Sequence, residues 1–288
     1  MNRLPSFIII GAMKSATSTL YEQLLRQPGI FLPRLKEPNF FSNDEQYTRG
    51  MEWYSDLFNE AGRTDILGEA STHYTKLPTY PQTVMRMRKC LKQPRLIYVM
   101  RDPVDRLVSQ YTHQRSQREI HGGLDIALIR NPELIAYSCY TRQLAPFVET
   151  YGKSAILPVF FDRLIADPQG ELERVCRFIG FRGNAQWNED LSRRNVSAER
   201  VRKFPLYDFL VEHPVATALR RNLVPKAIRT RIRDFLSMGE RPELTETTRK
   251  ELEKVFDDDL AILGQWLGIS LDCRNFREVT STQSLDWR

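Results

Sequence analysis

Cysteine and histidine are scarce, four of each in 288 residues. Cys90, Cys139, Cys176 and Cys273 lie far apart with no C-x-x-C pair, so neither a disulfide framework nor a zinc site is expected, and the thiols read as bystanders in a reducing compartment. No apolar run approaches the roughly 20 residues needed to cross a bilayer. Phe7-Ile8-Ile9-Ile10 is too short for a signal-peptide core and runs into Gly11 and Lys14 rather than a small-residue cleavage site. These absences predict a soluble, cytoplasmic chain with no transmembrane segment. Internal repeats and low-complexity segments are missing too. So are zinc-finger spacing, an RNP-type aromatic pattern and a clear helix-turn-helix, which argues against nucleic acid as partner.

What is present is a basic excess, 42 Lys and Arg against 36 Asp and Glu, for a net charge of +6. Such a balance favours anionic ligands, such as a nucleotide, an acidic sugar or a lipid headgroup. Hydrophobic residues make up 41% of the chain, enough for a sizeable core in one domain over 1–288.

Strand and helix signals alternate. Phe7 to Ile10, Ile66-Leu67, Leu96 to Met100 and Ala155 to Phe160 are buried strand candidates, the last interrupted by Pro158. Helical spacing follows at Leu20, Leu24 and Leu25, at Pro81 to Leu91, at Val104, Leu107, Val108 and Tyr111, at Pro132 to Tyr151, and at Leu172 to Ile179. Pro146 predicts a kink or a break between two helices. The alternation predicts an α/β fold, a central parallel β-sheet flanked by helices. Residues 187–243 read as a basic, less regular segment packed on the body, with Arg193-Arg194, Arg220-Arg221 and Arg233. Leu252 to Leu267 mark a C-terminal helix within 244–270.

Two loops carry chemistry. Gly11-Ala12-Met13-Lys14-Ser15-Ala16-Thr17-Ser18-Thr19 joins a buried strand to a helix, where free N–H groups and the helix dipole receive an anion. Lys14 adds a charge there, and Ser15, Thr17, Ser18 and Thr19 add hydroxyls. An ordinary capped helix with one exposed lysine is the plain alternative. The loop is not a Walker A sequence, because its lysine comes three residues after the only glycine. In the second loop, Arg101-Asp102-Pro103 ends the strand Leu96 to Met100 and opens a helix that carries Arg106, Ser109 and Tyr111. Arg101 thus stands at the carboxyl edge of the sheet, where open α/β folds bind ligands.

Together the two loops resemble the PAPS-dependent sulfotransferases (PAPS, 3′-phosphoadenosine 5′-phosphosulfate), enzymes with a P-loop NTPase-like fold. Lys14-Ser15-Ala16-Thr17-Ser18 is similar to their 5′-phosphosulfate loop, with Ala16 in place of the usual glycine; a position needing φ > 0 would be strained by alanine. Arg101 and Ser109 match the family's 3′-phosphate signature. The resemblance implies that Lys14 and residues 15–19 bind the 5′ end of PAPS, that Arg101 and Ser109 bind its 3′-phosphate, and that no metal is required. Leu35-Lys36-Glu37-Pro38-Asn39-Phe40-Phe41 looks like the segment that supplies the family's catalytic base. By that likeness Glu37 would take the acceptor proton, and Lys36 would steady the sulfuryl oxygens or the acceptor. Pro38 predicts an extended Glu37, and Phe40-Phe41 a buried anchor.

Gly68 to Tyr74 resembles a family segment that often carries a lysine where this chain has Ala70. Lys36 or His73 would compensate, or the acceptor would differ from heparan-type chains, and His73 is the alternative base. The acceptor implied is a hydroxyl-bearing molecule: a carbohydrate first, then a lipid or a secondary-metabolite alcohol. The rivals are a PAPS- or nucleotide-binding module without turnover, and a P-loop kinase. The kinase would want a magnesium-holding acid at the strand end that bears Arg101.

Overall fold

The computed structural model describes residues 3–190, 242 and 244–288. Most of the basic segment 187–243 therefore lies outside the described residues. Among those described, five parallel strands form the sheet: β1 (Phe7–Gly11), β2 (Ile30–Phe31), β3 (Ile66–Ala70), β4 (Arg95–Met100) and β5 (Ile156–Phe160). Their spatial order is β2-β3-β1-β4-β5.

Residues of β1 alternate between two cores. Ile8 and Ile10 face a core shared with Phe40, Phe41, Tyr54, Tyr98 and Phe147. Phe7 and Ile9 face the opposite core with Leu20, Leu24, Ile97, Val99 and Val175. A strand covered on both faces has no polar side, which is why β1 and β4 read as unbroken apolar runs. Each such side chain contributes about 1.5–3 kcal/mol relative to exposure.

The helices are α1 (Thr17–Leu25), α2 (Asp44–Thr48), α3 (Gly50–Asp56), α4 (Thr83–Cys90), α5 (Pro103–Ser116), α6 (Leu124–Arg130), α7 (Glu133–Ala136), α8 (Tyr140–Tyr151), α9 (Phe161–Ala166), α10 (Pro168–Ile179), α11 (Glu246–Leu267) and α12 (Phe276–Thr282). Pro103 sits in the first turn of α5, and Asp102 caps it by accepting the Asp105 N–H at 2.8 Å. Helix α11 falls within the expected 244–270. The short helices α2, α3, α6, α9 and α12 have no counterpart in the sequence reading.

Two prolines behave in different ways. Pro158 lies in β5, which among the described residues is an edge strand paired with β4 alone, so the missing N–H costs no ladder bond on the other side. At Pro146, where the sequence predicts a kink or a break, the chain does not break. Helix α8 continues through it, and the break falls at Tyr137–Cys139. Buried interactions set that break. Ser138 Oγ donates to the Pro103 carbonyl and accepts from Arg106 Nε, while Asp259 on α11 receives the Thr141 and Arg142 N–H groups at the start of α8.

The chain lays down β1, β2 and β3 to one side, then crosses to place β4 on the other flank of β1. The carboxyl ends of β1 and β4 thus meet where the winding direction reverses. Ligands of open α/β sheets bind in that crevice.

Candidate active site

The loop after β1 enters this crevice. The Ala12 N–H bonds the Val99 carbonyl at 2.8 Å, tying the loop to β4. Gly11 is required by close approach, since a Cβ there would come within 2.0 Å of Thr75 Oγ1. Lys14 and Ala16 both adopt left-handed backbone, with φ of 68° and 67°. The strain expected of alanine at position 16 is therefore present: left-handed backbone costs an L-residue about 1–2 kcal/mol. Ala16 is also the N-cap of α1 and offers no side-chain acceptor, so the first N–H groups of α1 have no side-chain cap. Ser15 is fully buried, and among the described residues its Oγ has no partner. An unpartnered hydroxyl inside an uncapped, lysine-bearing loop fits an anionic ligand.

Arg101 stands across the crevice. Its Nη1 lies 3.5 Å from the Lys14 carbonyl oxygen, so the two loops touch. Its guanidinium packs over the Phe161 ring at 4.5 Å, Nη2 lies 3.7 Å from Asp105, and among the described residues the buried Nε has no partner. Asp102, beside it, is committed to capping α5 and to Arg277 at 3.6 Å, and is not placed to hold a cation. Ser109 sits on α5, half-buried, and among the described residues its hydroxyl bonds none of the other candidates.

The Lys36-Glu37 segment closes on the same loop. Lys36 Nζ donates to Ser18 Oγ at 2.6 Å and lies 3.7 Å from Glu37 Oε1. Glu37 is not extended as Pro38 predicts; its φ is 59°. Tertiary bonds override the local preference, because the Glu37 N–H bonds the Ala70 carbonyl at 3.0 Å and its carboxylate receives the Thr72 hydroxyl. Phe40 and Phe41 are fully buried, with Phe40 stacked on Tyr54 at 4.5 Å, and they anchor the segment as expected.

Beneath Glu37 lies Glu69, fully buried on β3 and receiving hydroxyls from Tyr54, Tyr74 and Ser71. Burial raises its pKa to about 7 against the lowering effect of those donors. Ser71 also accepts the Asn39 N–H at 3.0 Å, so Glu69 buttresses the loop that carries Glu37. His73 stacks on Tyr80 at 4.9 Å, and among the described residues its buried Nδ1 has no partner. Burial and then Lys76 lower its pKa to about 4, so its imidazole is neutral.

The sequence reading thus placed Lys14, Ser15, Ala16, Thr17, Ser18, Thr19, Lys36, Glu37 and Arg101 around one crevice. It missed Thr72 and Glu69. Both follow or lie on β3, inside the Gly68 to Tyr74 stretch, and that proximity was the available signal. Among the described residues no group of three His, Cys, Asp or Glu side chains is placed to hold a metal ion, and no helix is long and apolar enough to cross a membrane.

A parallel sheet with an anion loop after its first strand and an arginine at the neighbouring strand end defines a P-loop-like α/β protein. The sulfotransferase domain family model matches residues 4–265, and the chain belongs to that family. It is 33% identical over 189 residues to mouse heparan sulfate glucosamine 3-O-sulfotransferase 3B1, covering 62% of this chain and 47% of that one. Mouse bifunctional heparan sulfate N-deacetylase/N-sulfotransferase 4 is 26% identical over 211 residues, covering 66% of this chain and 24% of its own. The chain thus matches less than half the length of these curated relatives. The fold is shared with a sulfotransferase from Alicyclobacillus acidocaldarius at TM-score 0.66 and 22% identity, covering 93% of this chain and 98% of that one. Mouse sulfotransferase SULT7A1, solved with PAP, has the same fold at TM-score 0.52 and 17% identity, covering 90% and 85%.

Proposed function

We propose that this protein transfers a sulfuryl group from PAPS to an acceptor hydroxyl, with a carbohydrate as the first acceptor class. The observation that carries this reading is the approach of Arg101 Nη1 to the Lys14 carbonyl, which joins two anion-binding elements in one crevice. One doubly phosphorylated nucleotide can then engage both. PAPS supplies an activated sulfuryl group on a phosphate that leaves as adenosine 3′,5′-bisphosphate (PAP).

Lys14, the N–H groups opening α1 and the hydroxyls of Ser15, Thr17, Ser18 and Thr19 hold the 5′ end. They stabilise the negative charge that collects on the departing phosphate. Arg101 takes the 3′-phosphate with its planar fork, and Ser109 joins it along α5. Glu37 accepts the hydroxyl proton as the new S–O bond forms. Thr72 fixes the Glu37 carboxylate, and Lys36 bridges from Ser18 to Glu37, between donor and base. His73 lacks such positioning partners, which favours Glu37 as base. None of these roles draws on a metal ion. The names of the curated relatives, which act on heparan sulfate, support a glycan acceptor. Four free thiols support a cytoplasmic, reducing location.

The test is incubation with PAPS and a panel of sugar, lipid and phenolic alcohols, followed by mass spectrometry. Formation of PAP together with a product heavier by one SO₃ is expected. PAP binding with no product from any acceptor would replace this reading by a nucleotide-binding module.

A further inference from the structure

Carboxylates crowd the arginine assigned to the 3′-phosphate. Asp105 Oδ2 lies 3.7 Å from Arg101 Nη2, and Asp102 is its neighbour in the chain. An aspartate four residues away competes with a phosphate for the same guanidinium, and its charge repels the phosphate as well. Yet the two are not engaged. At 3.7 Å the Arg101–Asp105 pair is too long for a hydrogen bond. The buried Arg101 Nε has no partner among the described residues.

A second guanidinium accounts for this. Arg277 Nη2 donates to the same Asp105 oxygen at 2.6 Å, and its Nε lies 3.6 Å from Asp102 Oδ2. One edge of Arg277 thus faces one oxygen of each aspartate. Arg277 comes from α12, outside the residues 4–265 that the family model matches.

The position of Arg277 is fixed by its neighbours. Phe276 is fully buried and meets the Phe160 ring edge-on at 5.9 Å. Arg163 donates to the Ser281 carbonyl at 3.1 Å, and the Thr280 hydroxyl lies 3.5 Å from Asp162 Oδ2. Phe160 adjoins Phe161, the ring under the Arg101 guanidinium, so one turn seats both Arg101 and α12. The Arg277 side chain itself is 59% exposed, and an ion pair so placed adds little to stability. Its effect falls on the charge balance around Arg101 instead.

We propose that Arg277 is a positioning residue for the donor site: by holding Asp105, it keeps Arg101 disengaged and ready for the 3′-phosphate. The inference rests on the reading of Arg101 as the 3′-phosphate ligand. In the absence of Arg277, Asp105 draws the Arg101 fork onto α5, and a phosphate must first break that pair.

The experiment is calorimetric titration of PAP and of 5′-AMP, which lacks the 3′-phosphate, into the full chain at low ionic strength, where a partly exposed pair is least screened. Arg277→Gln should weaken PAP about tenfold and leave 5′-AMP within about twofold. Arg277→Lys should restore part of the loss. In an Asp105→Asn background, Arg277→Gln should change PAP affinity by less than about twofold, because the competing carboxylate is gone. Unchanged PAP affinity in Arg277→Gln overturns the proposal. So does a parallel loss of both ligands, which marks a structural role, and so does a loss that persists beside Asp105→Asn. A wild type that binds PAP and 5′-AMP equally contradicts the reading of Arg101 itself.

Discussion

Thr72 Oγ1 lies 3.1 and 3.0 Å from the two carboxylate oxygens of Glu37. The hydroxyl sits at the end of β3 and the carboxylate in a loop far earlier in the chain, so the sheet itself aims the candidate base. Glu37→Gln should keep PAP affinity within about twofold while the transfer rate falls by about 10²–10⁴, the range for loss of a general base. Thr72→Val should cost less, about tenfold, and should appear in kcat rather than in PAP binding. Steady-state kinetics beside PAP titration separates these effects. Near-normal turnover in Glu37→Gln would pass the role to His73.

Glu69 gives a pH signature. Its folded pKa of about 7 lies above the ordinary 4.5, with burial as the main cause. The folded state then holds a proton that the unfolded state has released between those values. Stability is fully supported below the unfolded pKa and declines as pH rises through about 7. Urea melts at pH 5 and pH 8 should differ by about 2–3 kcal/mol in favour of the lower pH from this group. Glu69→Gln should flatten that difference. A slope that is unchanged in Glu69→Gln would assign the effect to another group.

Ala16 holds left-handed backbone that glycine adopts freely. Relief of about 1–2 kcal/mol of steric cost, less the extra chain entropy of glycine, leaves Ala16→Gly about 1 kcal/mol more stable. Chemical denaturation reads this directly, and a loss of stability would show that the loop is not strained there.

Much of the fold was legible because β1 and β4 are buried on both faces and so appear as unbroken apolar runs, each ending in a loop with visible chemistry. Lys14 and Arg101 could be found from those strand ends taken together with the resemblance that the two loops share. Their contact could not, because it depends on β4 crossing to the far side of β1. Local rules failed where tertiary bonds took over. Pro38 argued for an extended Glu37, yet the Ala70 carbonyl and Thr72 hold it at φ 59°. Pro146 suggested a kink or a break, but the break falls at Tyr137–Cys139, where Arg106, Ser138 and Asp259 bind.

The central claim is that Lys14 and Arg101 hold the two ends of one nucleotide, and calorimetric titration of PAP against 5′-AMP tests it most directly. The account predicts that PAP binds at least about 100-fold tighter than 5′-AMP, as loss of a charge-assisted guanidinium–phosphate contact implies. Arg101→Ala should erase that difference, and Lys14→Ala should weaken both ligands alike. Equal affinity of the wild type for PAP and 5′-AMP, or a preference that persists in Arg101→Ala, would contradict it.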